Sequence, residues 1–172
     1  MLPRQAASFN QLRAEGLSKK EILALSSSLK LFPTPFKGIY YIPIEEERKS
    51  GFIEKPRRAL FQAVVLFLKS REFYFSCRTA EEFLGIKWQP SGVIHIVNKK
   101  ISRKISLKRR ITRNQEKNNW RARKIADLLS YYGNEIVFHK GEVSKAKIKQ
   151  TPYGNFALKS QIIMDKKRFK EL

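Results

Sequence analysis

The sequence predicts an α+β protein in two parts, and three observations predict it. Hydrophobic residues make up 42% of the 172 positions, enough for a real core. Near the start, two short helix patterns precede two strand-like runs broken by prolines. Further on, a ten-residue apolar run, 59–68, and several β-branched runs alternate with helix patterns across polar breaks.

Ser8 is placed to cap a short helix carrying Phe9 and Leu12, with Ala6 on the same side, and Glu15-Gly16-Leu17 ends it. Ser18 starts the next helix, and Glu21 three residues on completes a capping box. Leu17 and Ile22 stand at the hydrophobic-staple positions. Ile22, Leu25 and Leu29 recur at helical spacing and face inward, whereas Lys19, Lys20, Ser26 and Ser27 face outward. Pro33 and Pro35 then exclude helix, so 31–32 and 38–42 pair as a short hairpin. Helix, turn, helix and hairpin in that order read as a winged helix-turn-helix over 1–47.

The run "EEERKSG", 45–51, reads as a solvated linker whose three glutamates suggest a metal site only superficially. The second part, 52–172, is expected to be a mixed α+β C-terminal domain with a small antiparallel sheet. Pro56 opens a helix whose 59–68 stretch is apolar nearly all round and should sit in the second core. A strand is expected at 73–75, then a helix near 79–84 ended by Gly85. Val93 to Val97 reads as a strand, with a turn at Asn98 and Lys99. A second strand runs over 101–111. It places Ile101, Arg103, Ile105, Leu107, Arg109 and Ile111 on one face, and Ser102, Lys104, Ser106, Lys108 and Arg110 on the other. "NNWRARKIADLLSYYGN" is an amphipathic helix with Ile125, Leu128, Leu129 and Tyr132 inward, and "EIVFHKG" a strand. The tail adds one or two strands about a turn at 152–155, and its last part is compatible with strand or helix.

The charge is lopsided. Against 36 Lys and Arg stand 15 Asp and Glu, a net +21, which points to a polyanionic partner. Cys77 is the single cysteine, so no intramolecular disulfide forms. The opening "MLPRQAASFN" lacks a signal-peptide core, and the 59–68 run is about half of a bilayer crossing. A soluble cytoplasmic protein with no membrane partner is expected.

Enzymatic chemistry is thinly supplied. Asp127 and Asp165 are the two aspartates, both on segments read as solvent-facing. Glu135, Glu142 and Lys145 have the wrong spacing for a metal nuclease. His95 and His139 lie in expected strands and read as packed core residues. With one cysteine no zinc spacing is visible, and no phosphate loop occurs. The expectation is a non-enzyme without cofactor or metal.

Binding is better supported. Lys19, Lys20, Ser26, Ser27 and Ser28 are the candidates for reading duplex DNA, with Lys30 and Lys37 on phosphates. A second basic patch collects Lys99, Lys100, Arg103, Lys104, Lys108, Arg109, Arg110, Arg113, Arg121 and Lys124. Lys117 and Arg123 lie in the same stretch, and Glu116 is the one acid before Lys124. A bland alternative is an edge strand whose lysines discourage aggregation. That accounts for some of these residues, not for so many like charges in one run.

The order "FNQLRAEGLSKKEILAL", "FKGIYYIP", buried helix, "YFSCRTAEEFLGI", "VIHIVNKK" resembles the AbiEi-type antitoxins, transcriptional regulators of type IV toxin–antitoxin and abortive-infection systems. Gly38, Tyr40 and Pro43 match the family's wing run. Tyr74, Ser76, Ala80, Leu84 and Gly85 match a second pattern, and the likeness runs from about Ser8 to Lys100. Ahead of Ser8 the sequence offers no match to the helix that the family carries before the helix-turn-helix, so none is expected in these residues. The resemblance implies a repressor that binds operator DNA with inverted repeats through its N-terminal domain. It further implies a C-terminal domain that counters a nucleotidyltransferase-like toxin or acts on that toxin's RNA target. The competing expectations are an RNA-binding protein, with some of the twelve phenylalanines and six tyrosines stacking on bases although most sit in apolar runs that core packing explains, and a metal-dependent nuclease of a mobile element.

Overall fold

The computed structural model describes residues 5–171. In chain order its first elements are β1 (Ala6–Ser8), α1 (Phe9–Ala14), α2 (Lys19–Ser27), β2 (Phe32–Pro33), β3 (Ile39–Tyr41), α3 (Glu45–Ser50), α4 (Pro56–Leu68) and β4 (Phe73–Phe75). There follow α5 (Cys77–Phe83), β5 (Val93–Asn98), β6 (Arg103–Ser106), α6 (Leu107–Glu116), α7 (Trp120–Ser130), β7 (Glu135–Lys140), β8 (Ile148–Thr151), β9 (Gly154–Ala157) and α8 (Lys159–Arg168). They form two compact units: Met1–Lys69 with Arg109–Tyr132, and Ser70–Lys108 with Gly133–Leu172. The chain is therefore α+β as expected, but it crosses between units three times instead of dividing near residue 50.

In the first unit both N-terminal helices carry full capping boxes. Ser8 Oγ accepts from Gln11 N–H and Ser18 Oγ from Glu21 N–H, and the Gln11 and Glu21 side chains return the contact. Each box satisfies amides that a helix start leaves open. Gly16, at φ 99, makes the turn between the helices. The expected hairpin is present, with Phe32 opposite Tyr41. Ala6–Ser8 adds a third strand on the other side of β3, in the order β1-β3-β2. Ala7, Leu12, Ile22 and Leu31 bind these pieces into one small core, with Leu17, Leu25 and Tyr40 packed around it.

Two expectations fail here for identifiable reasons. Residues 45–50 are a helix and not a linker, because Glu47 points inward. It is 4% exposed and accepts from Tyr41 Oη at 2.6 and 2.7 Å and from the amides of Ile44 and Glu54 at 3.0 Å. Helix α4 belongs to the first unit and packs on β1 and β3. Its buried face is Ala59, Leu60, Ala63, Val64 and Leu68. Its Gln62 Oε1 accepts from the amides of Gln5 and Ala6 at 2.7 and 3.1 Å, groups that the start of β1 would otherwise leave open.

The second unit holds one six-stranded sheet in the order β6-β7-β5-β4-β9-β8. It is mixed, with parallel pairs β5–β7 and β4–β9, and so is neither small nor purely antiparallel. The expected strand over 101–111 stops at Ser106. The amides of Leu107 and Lys108 both donate to the Asn134 carbonyl, and helix α6 begins there. Leu107, Ile111 and Asn114 fall at i, i+4 and i+7 and are buried, a helical stripe that period two imitates over a few residues. The tail resolves into the β8–β9 hairpin followed by α8. Helices α5 and α8 pack together, and Tyr74, Ala80, Val97, Ala157 and Ile162 form the core there. No helix among the described residues is long and apolar enough to cross a membrane. Met1 to Arg4, the first part of the stretch read against a signal peptide, lie outside the described residues.

Candidate functional site

In the first unit, α2 turns Ile22 inward and leaves Lys19, Lys20 and Ser27 exposed. Ser26 is half-buried. Ser28 is exposed but serves as the C-cap, its Oγ donating to the Leu25 carbonyl at 3.3 Å. Leu29 follows at φ 56, and the Leu29 and Lys30 amides close on the carbonyls of Ser26 and Leu25. This sharp stop presents the exposed Lys30 beside the helix end. Lys37 is exposed in the β2–β3 turn, which is braced by Thr34 Oγ1 donating to the Ile39 carbonyl at 2.7 Å.

The second basic set is divided. Lys99, Lys100, Arg103, Lys104 and Lys108 lie in the second unit, and Arg109, Arg110, Arg113, Arg121 and Lys124 in the first. Arg103 and Lys104 are exposed on β6, an edge strand. Arg103 is therefore not turned into an apolar face. Arg109 on α6 is likewise exposed. Arg110, expected on an outward strand face, is half-buried. Its Nη1 donates to the carbonyls of Thr34 and Pro35 at 3.2 and 3.3 Å, tying α6 to the hairpin turn. Burial, then the charge of Arg113, pulls its pKa below the ordinary guanidinium value. Lys124 fills the space that a side chain on Gly51 would need, at the C-terminal end of α3 where a cation is favoured. Arg121 joins the α2 surface, its Nε donating to the Ser27 carbonyl at 2.9 Å. The first unit thus collects Lys19, Lys20, Lys30, Lys37 and Arg121 on or beside α2 and the hairpin.

The second unit contains a polar cluster that sequence reasoning missed. Asp165, expected at the surface, is 2% exposed. It accepts from Ser76 Oγ at 2.6 Å, Tyr74 Oη at 3.0 Å and Gln161 Nε2 at 2.9 Å. Next to Ser76, Cys77 takes φ 50 and is fully buried. His95 and His139 lie on one face of the β5–β7 pair, His95 opposite Val137 and His139 opposite Val97. His95 Nδ1 and His139 Nε2 are 3.0 Å apart, the rings are parallel, and Phe169 stacks on His139. The thiol and one nitrogen of each imidazole all lie within 4.8 Å of one another. The expected lack of a cysteine–histidine cluster is thereby corrected. Positions 77, 95 and 139 come from three elements, so no local spacing announces them.

Burial sets the protonation of this cluster. It pushes the Cys77 thiol up to about 12, helped by the Asp165 charge. A buried neutral thiol is not poised as a nucleophile. Burial also pulls His95 down to about 4 and lowers His139. Glu171 and Glu82 favour the charged form of His95, and His139 and Lys104 oppose it. An unfolded histidine protonates near pH 6.5, so between about 6.5 and 4 the unfolded chain binds more protons than the folded one. Stability is full above that window and falls as the pH drops through it. For His95 the loss is on the order of 3 kcal/mol. Chemical denaturation in chelator from pH 7.5 to 5, above most carboxylate titration, should show the decline. A flat profile over that range contradicts two neutral buried imidazoles.

Set against family models, curated proteins and solved structures, the chain matches none.

Proposed function

We propose that this chain binds duplex DNA through its first unit, with α2 reading the groove and the β2–β3 hairpin acting as a wing. The supporting observation is the capped α2. Its apolar side is buried and its other side bears Lys19, Lys20 and Ser27, with Lys37 in the neighbouring turn. Two short helices at a tight turn followed by a hairpin follow the element order expected of a winged helix-turn-helix, and a helix-turn-helix places its second helix in the major groove. The net charge of +21 supplies the phosphate attraction. In this proposal the protein is an operator-binding repressor of the AbiEi antitoxin type, and the second unit counters a nucleotidyltransferase-like toxin.

The test is binding to the DNA upstream of its own gene against random duplex. Lys20→Ala with Ser27→Ala should relax the preference for the former by roughly tenfold or more. Lys37→Ala should weaken both duplexes about equally. An unchanged preference in the double variant leaves α2 as structure alone. Rescue of cells expressing a nucleotidyltransferase-like toxin, taken from beside this gene if one is encoded there, checks the second activity.

A second reading, binding of single-stranded RNA, is favoured by Trp120. It is 68% exposed and is flanked in the sequence by Lys117, Arg121 and Arg123, an exposed ring within a basic stretch. Competition between duplex DNA and single-stranded RNA separates the two, and only the RNA reading loses affinity with Trp120→Ala.

A further inference from the structure

We propose that Cys77, His95 and His139 form a zinc(II) site in the second unit. The sequence contains one cysteine and two histidines, and the fold gathers all three at one point. One thiolate and two imidazoles suit a borderline-soft cation such as zinc, which takes sulfur at about 2.3 Å and nitrogen at about 2.0–2.1 Å. In a tetrahedral site those bonds leave the donors roughly 3.3–3.7 Å apart. Here the two nitrogens stand 3.0 Å apart, and all three donors lie within 4.8 Å. A hydrogen bond between the facing nitrogens requires one proton between them. A zinc ion takes that place after small ring shifts, with the sulfur as its third donor.

Two further observations point the same way. Cys77 holds a left-handed φ of 50° although it is not glycine, a conformation that survives where the surroundings fix a side chain's direction. Asp165 is a buried carboxylate whose hydrogen-bond donors, Tyr74, Ser76 and Gln161, are all neutral. Among the described residues no lysine or arginine pairs with it. A zinc ion bound by one thiolate and two neutral imidazoles carries a net single positive charge. It would supply the missing counter-charge one residue from Ser76. Metal entry then releases the thiol proton, and the imidazole pair exchanges tautomers without net change.

The site is buried, so loading accompanies folding. The full chain is unfolded in chelator, then refolded with zinc(II) or with cobalt(II) as a spectroscopic probe. The expected results are one tightly held zinc per chain, a thiolate-to-cobalt charge-transfer band, and a higher melting temperature with zinc. Cys77→Ser should abolish the band and lower zinc affinity by about a hundredfold or more. His95→Gln with His139→Gln should do the same. Should either variant fail to fold, the wild-type cobalt spectrum decides alone. A wild-type protein with no thiolate band and no retained zinc overturns the site. So does a folded Cys77→Ser variant that binds zinc as tightly as wild type.

Discussion

Glu47→Ala should destabilise the first unit by about 3–5 kcal/mol, while Glu45→Ala and Glu46→Ala should each stay within about 0.5 kcal/mol. The three residues are neighbours in sequence, and only the third is buried. Removing its carboxylate strands the Tyr41 hydroxyl and the amides of Ile44 and Glu54 at once. A buried donor left without an acceptor costs roughly 1–3 kcal/mol. Tyr41 has no exposure through which water could replace the lost bond. Burial, then the Glu47 hydrogen bond and charge, already raises the Tyr41 phenol well above its ordinary value, so the phenol stays a donor. Tyr41→Phe removes one donor and leaves Glu47 its two amides, so it should cost less, about 1.5–3 kcal/mol. Thermal melts of the four variants make the comparison. A Glu47→Ala melt that coincides with those of its two neighbours would show that the carboxylate holds nothing.

Those glutamates also mark the limit of what the sequence discloses. Features set by chemistry within a few residues were legible: the Ser8 and Ser18 caps, the proline-broken hairpin, the strand at Phe73–Phe75 and the helix stop at Gly85. Features set by distant partners were not. Nothing around Glu47 or Asp165 indicates that a tyrosine hydroxyl will meet each carboxylate inside a core, one six residues away and the other 91. Nothing local assigns α4 to the first unit, because an apolar helix suits either core. The 101–111 segment departs from the expected strand for another reason. Leu107 and Ile111 are four apart, a separation that fits both a strand face and a helix stripe. The choice is made by Asn134, whose carbonyl takes the first two amides of α6. The outward placement of Lys19 and Lys20 on α2 was visible because surface charge needs no partner. The cysteine–histidine cluster was hidden because it consists of nothing but partners.

Affinity for duplex DNA should fall steeply with salt, and the slope should count the contacts. Each neutralised phosphate contributes about −0.9 to the slope of log affinity against log salt. Engagement of Lys19, Lys20, Lys30, Lys37 and Arg121 alone gives a slope of about −4.5, which is roughly a 500-fold loss between 50 and 200 mM. If Lys99, Lys100, Arg103, Lys104 and Lys108 of the second unit bind the same duplex, the slope doubles to about −9 and the loss exceeds 10⁵-fold. Charge reversal at Arg103, Lys104 and Lys108 separates the cases. All three side chains are exposed, so the fold should survive the change. Arg110 is left out of the set because its guanidinium holds the hairpin turn, and reversing it would damage the first unit. A slope unmoved by the reversal confines DNA to the first unit and leaves the β6 edge free for another polyanion or for solvent. A slope reduced by about 3 places DNA on both units. Affinity that is flat in salt would remove the phosphate contacts on which the proposed function depends.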